Sequence, residues 1–202
     1  MSKGKFIVLE GIDGSGKSTQ ILKIAYNILG KSKYNHILLT REPYKKEEIR
    51  AILREDSDPY SQAKKLAELF VQDRKEHAKE FIIPNLEKGI HVISDRYKLS
   101  TIAYQSAQGI PVQELIDMHA NLPIPDITII VDLPAERAAE RMSRDNRNEH
   151  KFEADVQFQE KTRQNYLKLQ KVLSNEKIRI VDGTKSIEEL TKDIIKIIDE
   201  II

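Results

Sequence analysis

The 202-residue chain contains no cysteine, so it has no disulfides and no thiolate metal site, and it suits a reducing cytoplasm. It also lacks any apolar run near the length of a membrane span. A strand-like apolar run begins within a few residues of Met1, leaving no room for a secretion signal, so a cytoplasmic protein with no membrane partner is expected. There is no excess charge of either sign. Lys and Arg number 33 against 32 Asp and Glu, which gives a net charge of +1 and no mark of a nucleic-acid partner or an acidic tail. No repeat, low-complexity segment or linker divides the chain, so residues 1–202 read as one domain large enough for a sizeable core. No [NT]KxD pattern occurs, which argues against a guanine-reading switch.

What is present begins with "FIVLEGIDGSGKSTQ", residues 6 to 20. Four apolar residues, Phe6 to Leu9, read as a strand buried on both faces. The loop that follows fits G-x-x-x-x-G-K-[ST] through Gly11, Ile12, Asp13, Gly14, Ser15, Gly16, Lys17 and Ser18. After Thr19, apolar residues at Ile21, Ile24, Ala25 and Ile28 keep helical spacing. Glycines let consecutive backbone N–H groups converge, and the helix N-terminus adds the positive end of its dipole, so this order of elements cradles polyphosphate. Lys17 is placed to reach the β and γ phosphates, and the Ser18 hydroxyl to ligate Mg²⁺. The chain is therefore expected to bind ATP with Mg²⁺.

Short apolar strands at 36–40, 90–94, 126–133 and 178–182 join the first, each separated by helical pattern. The prediction is an α/β fold: a five-stranded parallel sheet with helices on both faces. Ser186 and Glu189 form a capping box that opens a C-terminal helix. Ligands of such sheets gather beyond the C-terminal strand ends, where "REP" (41–43) and "DRY" (95–97) lie. Asp95 and Arg96 suit a Mg²⁺-linked acid and a phosphate clamp, or else a helix cap and a surface ion pair. Asp132 also ends an apolar strand, and residue chemistry alone does not choose between it and Asp95.

Residues 61–82 read as one helix whose apolar stripe runs through Ala63, Ala67, Phe70 and Ala78 to Phe81. Arg74 lies on that stripe and calls for a polar partner, which a cleft would supply beside a base-stacking Phe70. Phe70 as plain core, with Arg74 reaching solvent, is the alternative. The charged stretch 141–155 reads as a mobile flap that excludes water, or as a solvated helix end.

Taken in order, "EGIDGSGKSTQ", "TREP", "LFVQDRKEH", "ISDRYKLSTIAYQ", "PDITIIVDLPAERAAER" and "VDGTKSIEEL" resemble the thymidylate kinases, over nearly the whole chain. The resemblance implies the P-loop nucleoside monophosphate kinase fold, phosphoryl transfer from Mg·ATP to thymidine monophosphate (dTMP), and a homodimer. It implies that Asp13 contacts the acceptor sugar, with Glu42 nearby, and that Arg50, Arg74 and Arg96 hold the acceptor phosphate or base edge. Phe70 would stack on thymine, Thr101 and Gln105 would bond its edge, and Tyr104 would crowd the sugar 2′ position. Asp95 gains over Asp132 as the acid near the metal, and adenine would rest by the backbone of Gly183, Thr184 and Lys185.

Two departures matter. "REPYKKEEIR" is shorter than the family's usual continuation of "REP" with "GGT", which puts the role of Arg50 in question and leaves Lys45 and Lys46 as either substitutes or solvated charges. One group of the family carries an arginine inside the P-loop where this chain has Gly14; the other takes that charge from the flap. Here Arg144, Arg147 and Lys151 are its expected source, with Arg141 set apart for packing or adenine.

Overall fold

The computed structural model describes residues 3–144, 152 and 155–202. Strand β1 (Phe6–Glu10) ends in the phosphate-loop pattern and is followed by α1 (Lys17–Lys31). Then come β2 (Ile37–Arg41), α2 (Glu47–Glu55), α3 (Ala63–His77), a π-helical turn (Ala78–Ile82), α4 (Ile83–Glu87) and β3 (His91–Asp95). Helices α5 (Lys98–Ala107) and α6 (Val112–Met118) precede β4 (Ile127–Asp132). The chain closes with α7 (Ala135–Arg144), α8 (Val156–Val172), β5 (Ile178–Asp182) and α9 (Ile187–Ile198).

The five strands form one parallel sheet, as the alternation of strands and helices leads one to expect, and their order is β2-β3-β1-β4-β5. Central β1 has no exposed residue, and its side chains divide by parity. Ile7 and Leu9 join α1 and α9 on one face, while Phe6 and Val8 meet Ala78, Ile82 and Leu86 on the other. A larger core under α3, α5 and α8 includes Leu66, Ala103, Phe158, Tyr166 and Leu169. Each such aliphatic or aromatic side chain contributes roughly 1.5–3 kcal/mol on burial. Because β3 and β4 flank β1 in the same direction, the ends of β1, β3 and β4 open on one edge of the sheet.

The stretch expected as one helix over 61–82 differs in detail. It starts at Ala63, after Gln62 with φ of 54°, and widens into the π turn before Pro84. Proline has no N–H to continue the α ladder, and a wider turn accommodates that break without ending the helix. The buried face is also shifted. Leu66, Ala67, Val71, Asp73, Arg74, His77 and Ala78 are inside, whereas Phe70 is only partly covered because it borders a cavity.

Candidate active site

The loop between β1 and α1 owes its shape to close packing as well as to phosphate chemistry. Gly14 has φ of 75°, and a Cβ there would lie 2.7 Å from the Ala138 carbonyl oxygen and 3.1 Å from Met142 Cγ, both on α7. Only glycine lets the loop rest directly on that helix. Lys17 is buried and donates from Nζ to the carbonyls of Gly11 (3.1 Å) and Ile12 (2.9 Å). Burial, and then the Arg96 charge, lower its pKa to about 8, against the opposing pull of Asp13, Asp95 and Glu10.

Next to Lys17, Ser18 Oγ donates to Asp95 Oδ2 (3.1 Å), and exposed Arg41 reaches both Ser18 Oγ and Asp95 Oδ2 at 3.1 Å. Asp95 Oδ1 is buried with no hydrogen-bond partner among the described residues. Asp132, by contrast, is held by Arg163 through Nε (2.5 Å) and Nη2 (3.1 Å). Of the two candidate acids it is therefore Asp95 that stands at the phosphate loop.

A cavity of about 700 Å³ opens over this region, lined among others by Gly14, Ser15, Gly16, Lys17, Ser18, Thr19, Asp95, Arg141, Arg144, Gly183 and Lys185. Gly11 and Ile12 lie behind it and act through their carbonyls on Lys17. Thr184 borders a separate small hollow with Arg137 and Glu140. Arg141 Nη2 donates to the Gly183 carbonyl (3.0 Å), tying α7 to the loop after β5. Arg147 and Lys151 lie outside the described residues.

A second cavity, of about 150 Å³, is lined by Asp13, Glu42, Phe70, Arg74, Arg96, Thr101, Tyr104 and Gln105, together with Pro43, Leu53, Ser100 and Phe152. Its floor is a buried polar network. Arg74 Nε donates to Glu42 Oε2 (2.6 Å), and its Nη1 reaches Thr101 Oγ1 (3.1 Å) and His119 Nε2 (2.6 Å). Burial and the Arg74 charge push the His119 pKa down to about 3. His119 is thus neutral, with Nδ1–H given to the Leu115 carbonyl and Nε2 free to accept from Arg74. Gln105 Oε1 is buried without a partner among the described residues. Arg50 borders neither cavity: its Nη2 donates to the carbonyls of Pro43 (3.4 Å) and Tyr44 (3.2 Å), where it braces the shortened loop. Asp73 holds the same loop by accepting from the backbone N–H groups of Tyr44, Lys45 and Lys46.

The two cavities meet at Asp13 and Arg96, which line both. Arg96 Nη2 donates to Asp13 Oδ1 (2.5 Å), and the Tyr104 hydroxyl donates to Asp13 Oδ2 (2.8 Å). Burial raises the Asp13 pKa, but the charges of Arg96 and Lys17 and these two hydrogen bonds prevail and bring it down to about 2. A phosphate cradle and a neighbouring pocket with a polar floor, joined by an arginine, are the parts needed to move a phosphoryl group from one bound molecule to another. Residues 9–194 match the sequence model of the family described as thymidylate kinase. The chain belongs to the thymidylate kinase family.

The relatives it matches span nearly its whole length. It is 41% identical over 203 residues to a probable thymidylate kinase of Pyrococcus horikoshii, covering 97% of this chain and 96% of the relative. It is 36% identical to the thymidylate kinase of Carboxydothermus hydrogenoformans, with 93% of each chain covered. For that of Thermosipho africanus the identity is 38%, with 96% of this chain and 98% of the relative covered. Sequence reasoning gave no role to Glu10, Ser100, His119 or Tyr166. Ser100 stood inside the family motif 95–105 without a role, and Glu10 left a trace as a carboxylate closing an otherwise apolar strand that the fold buries completely.

Proposed function

We propose that this thymidylate kinase family member transfers the γ-phosphoryl group of ATP to dTMP across the Asp13–Arg96 junction. The observation that carries this reading is the sharing of those two side chains by both cavities. The larger cavity takes the donor: loop N–H groups and the α1 N-terminus face its triphosphate, and Lys17 exchanges two loop carbonyls for phosphate oxygens. Adenine rests between Arg141 and the loop at Gly183 to Lys185. The smaller cavity takes dTMP, with Phe70 stacked on the base, Arg74, Thr101 and Gln105 at its edge, Glu42 behind Arg74, and Tyr104 against the 2′ carbon. Asp13 orients the acceptor, and Arg96 lies across the path of transfer, where charge on the moving group is greatest.

Ser18 and the unpartnered Asp95 Oδ1 fit a Mg²⁺ ion. No three His, Asp or Glu side chains converge as a metal cage among the described residues, so these two oxygens would share the ion with the nucleotide's phosphates. When bound, Mg²⁺ supplies charge neutralisation at the β and γ phosphates. A lid at 141–155 that excludes water, a homodimer and a cytoplasmic location complete the proposal. No helix of the described residues is long and apolar enough to cross a membrane. A coupled ADP-release assay across a panel of nucleoside monophosphates, dTMP and deoxyuridylate foremost, tests the acceptor assignment, and sedimentation at micromolar concentration tests the dimer. ADP release no faster with dTMP than with water as acceptor would sink the reading.

A further inference from the structure

Arg96 is held in an uncommon way. Its backbone has φ of 73°, the left-handed region that non-glycine residues avoid, and it leaves β3 directly into the junction of the two cavities. Asp13 and Tyr104 take one side of the guanidinium. On the other side, Nη1 donates to the Gly11 carbonyl (3.1 Å), Ser100 Oγ (3.1 Å) and the hydroxyl of Tyr166 (3.2 Å). Tyr166 comes from α8, borders neither cavity and is almost completely buried.

Behind these hydroxyls stands Glu10, with no exposed surface. Its Oε2 accepts from Ser100 Oγ (2.6 Å) and Tyr166 OH (3.1 Å), while the two hydroxyls lie 2.8 Å apart. Its Oε1 accepts from the backbone N–H groups of Tyr97 (2.8 Å) and Ser100 (3.2 Å), so it also caps α5, whose N-cap residue Tyr97 makes no side-chain cap of its own. The short 2.6 Å contact gives the Ser100 proton to Glu10, and the Tyr166 proton goes either to Glu10 or to Ser100 Oγ; in both arrangements each hydroxyl oxygen keeps a lone pair for Arg96.

We propose that Tyr166 and Glu10 are positioning residues for Arg96: from outside the substrate cavities they fix the guanidinium in the one pose that serves both substrates. The inference rests on the reading of Arg96 as the side chain across the transfer path. Tyr166→Phe keeps the buried ring and removes only the hydroxyl. It is expected to lower kcat by ~10-fold with KM for ATP changed less than about twofold, the pattern of an interaction that matters in the transition state. Its action through Arg96 is tested by a double-mutant cycle: in an Arg96→Ala background the same change should alter kcat by less than about twofold. Glu10→Gln keeps the shape but turns one of the two accepting oxygens into an NH2 donor, which the hydroxyls and backbone N–H groups around it cannot accept from without rearranging, and it should behave alike should the tyrosine variant fold poorly. Tyr166→Phe and Glu10→Gln turnover within about twofold of the parent, or a loss that persists undiminished without Arg96, would overturn the inference. A disabled Arg96→Ala beside an intact Tyr166→Phe overturns it alone, whereas an Arg96→Ala variant as active as the parent overturns the Arg96 reading as well.

Discussion

Lys17 shows how much a single side chain depends on its surroundings. Burial and Arg96 hold its pKa near 8, so it is charged at neutral pH and loses its proton within an accessible range. Because kcat/KM reports the free enzyme, its profile for ATP should fall on an alkaline limb near pH 8; a profile flat to pH 9.5 would contradict the assignment. For stability the sign is reversed from that of a lysine gaining a partner. The unfolded chain, with a lysine pKa of roughly 10.4, binds more protons between about pH 8 and 10.4, so this group's contribution to stability rises with pH across that window. Lys17→Met should accordingly exceed the parent in Tm at pH 7 and lose that advantage by pH 10. Phe70 and Arg74 separate in the same manner. Phe70 is half-buried at the pocket, and Phe70→Ala should raise KM for dTMP about tenfold or more while ATP affinity holds, since base stacking is a ground-state contact of roughly 1–3 kcal/mol. Arg74→Ala strands the buried Glu42 carboxylate, so it should cost about 3–5 kcal/mol and be seen first in thermal unfolding. The sequence pattern alone offered a cleft beside Phe70, or plain core with Arg74 reaching solvent; Arg74 is buried and bonded at the cavity floor, and Phe70 borders that cavity half-covered.

At the scale of elements, all five strands were legible as short apolar runs, although only the inner strands are buried along their length while edge strands β2 and β5 are partly exposed; the order of the strands in the sheet was not read. The π turn at Ala78–Ile82 was not legible, since one wider turn leaves the apolar spacing on either side nearly unchanged. The same distinction holds for the site. The phosphate loop is contiguous and readable, whereas Glu10, Ser100 and Tyr166 come from three distant elements, and Tyr166 on a stripe with Phe158, Thr162 and Leu169 reads as ordinary core. Contact between the loop and α7 was equally hidden, because Gly14 looks like any loop glycine until Ala138 is seen 2.7 Å from its missing Cβ. That contact makes a prediction. Gly14→Ala adds one methyl in a left-handed conformation against backbone, which costs roughly 1–2 kcal/mol in strain before any repacking. The variant should lose several degrees in Tm and also lose ATP affinity, as α7 and its Arg141 are pushed from the Gly183 carbonyl. Unchanged binding, measured calorimetrically, would show that the loop and α7 move independently.

At the scale of the whole molecule, the two cavities face the edge where the strands end, and α7 runs past the donor side carrying Arg141 and Arg144 along its wall. The phosphate loop itself brings Lys17 as its one cationic side chain, because the packing of Gly14 on Ala138 leaves no room for another there. With α7 packed as it is, a side chain at position 14 is therefore closed to this chain by sterics. We propose that, besides Lys17, Arg96 and the basic residues of 141–155 supply the positive charge over the transferred group. In sequence that segment carries Arg144, Arg147 and Lys151 at intervals of three and four, the spacing that aligns side chains when helical. Arg144 lines the donor cavity, and the other two follow it in the chain beyond the described residues. An arginine delivered to a transferring phosphoryl group is worth ~10³-fold or more in rate. Changing Arg144, Arg147 and Lys151 together to alanine should thus lower kcat by ~100-fold or more, with a smaller effect on ATP affinity, because their contacts strengthen as charge develops. The measurement is steady-state kinetics on the folded triple variant at saturating ATP and dTMP. A kcat within about threefold of the parent, far below the loss of even one transition-state donor, would assign those charges to solvent and leave Arg96 and Lys17 to carry the transfer alone.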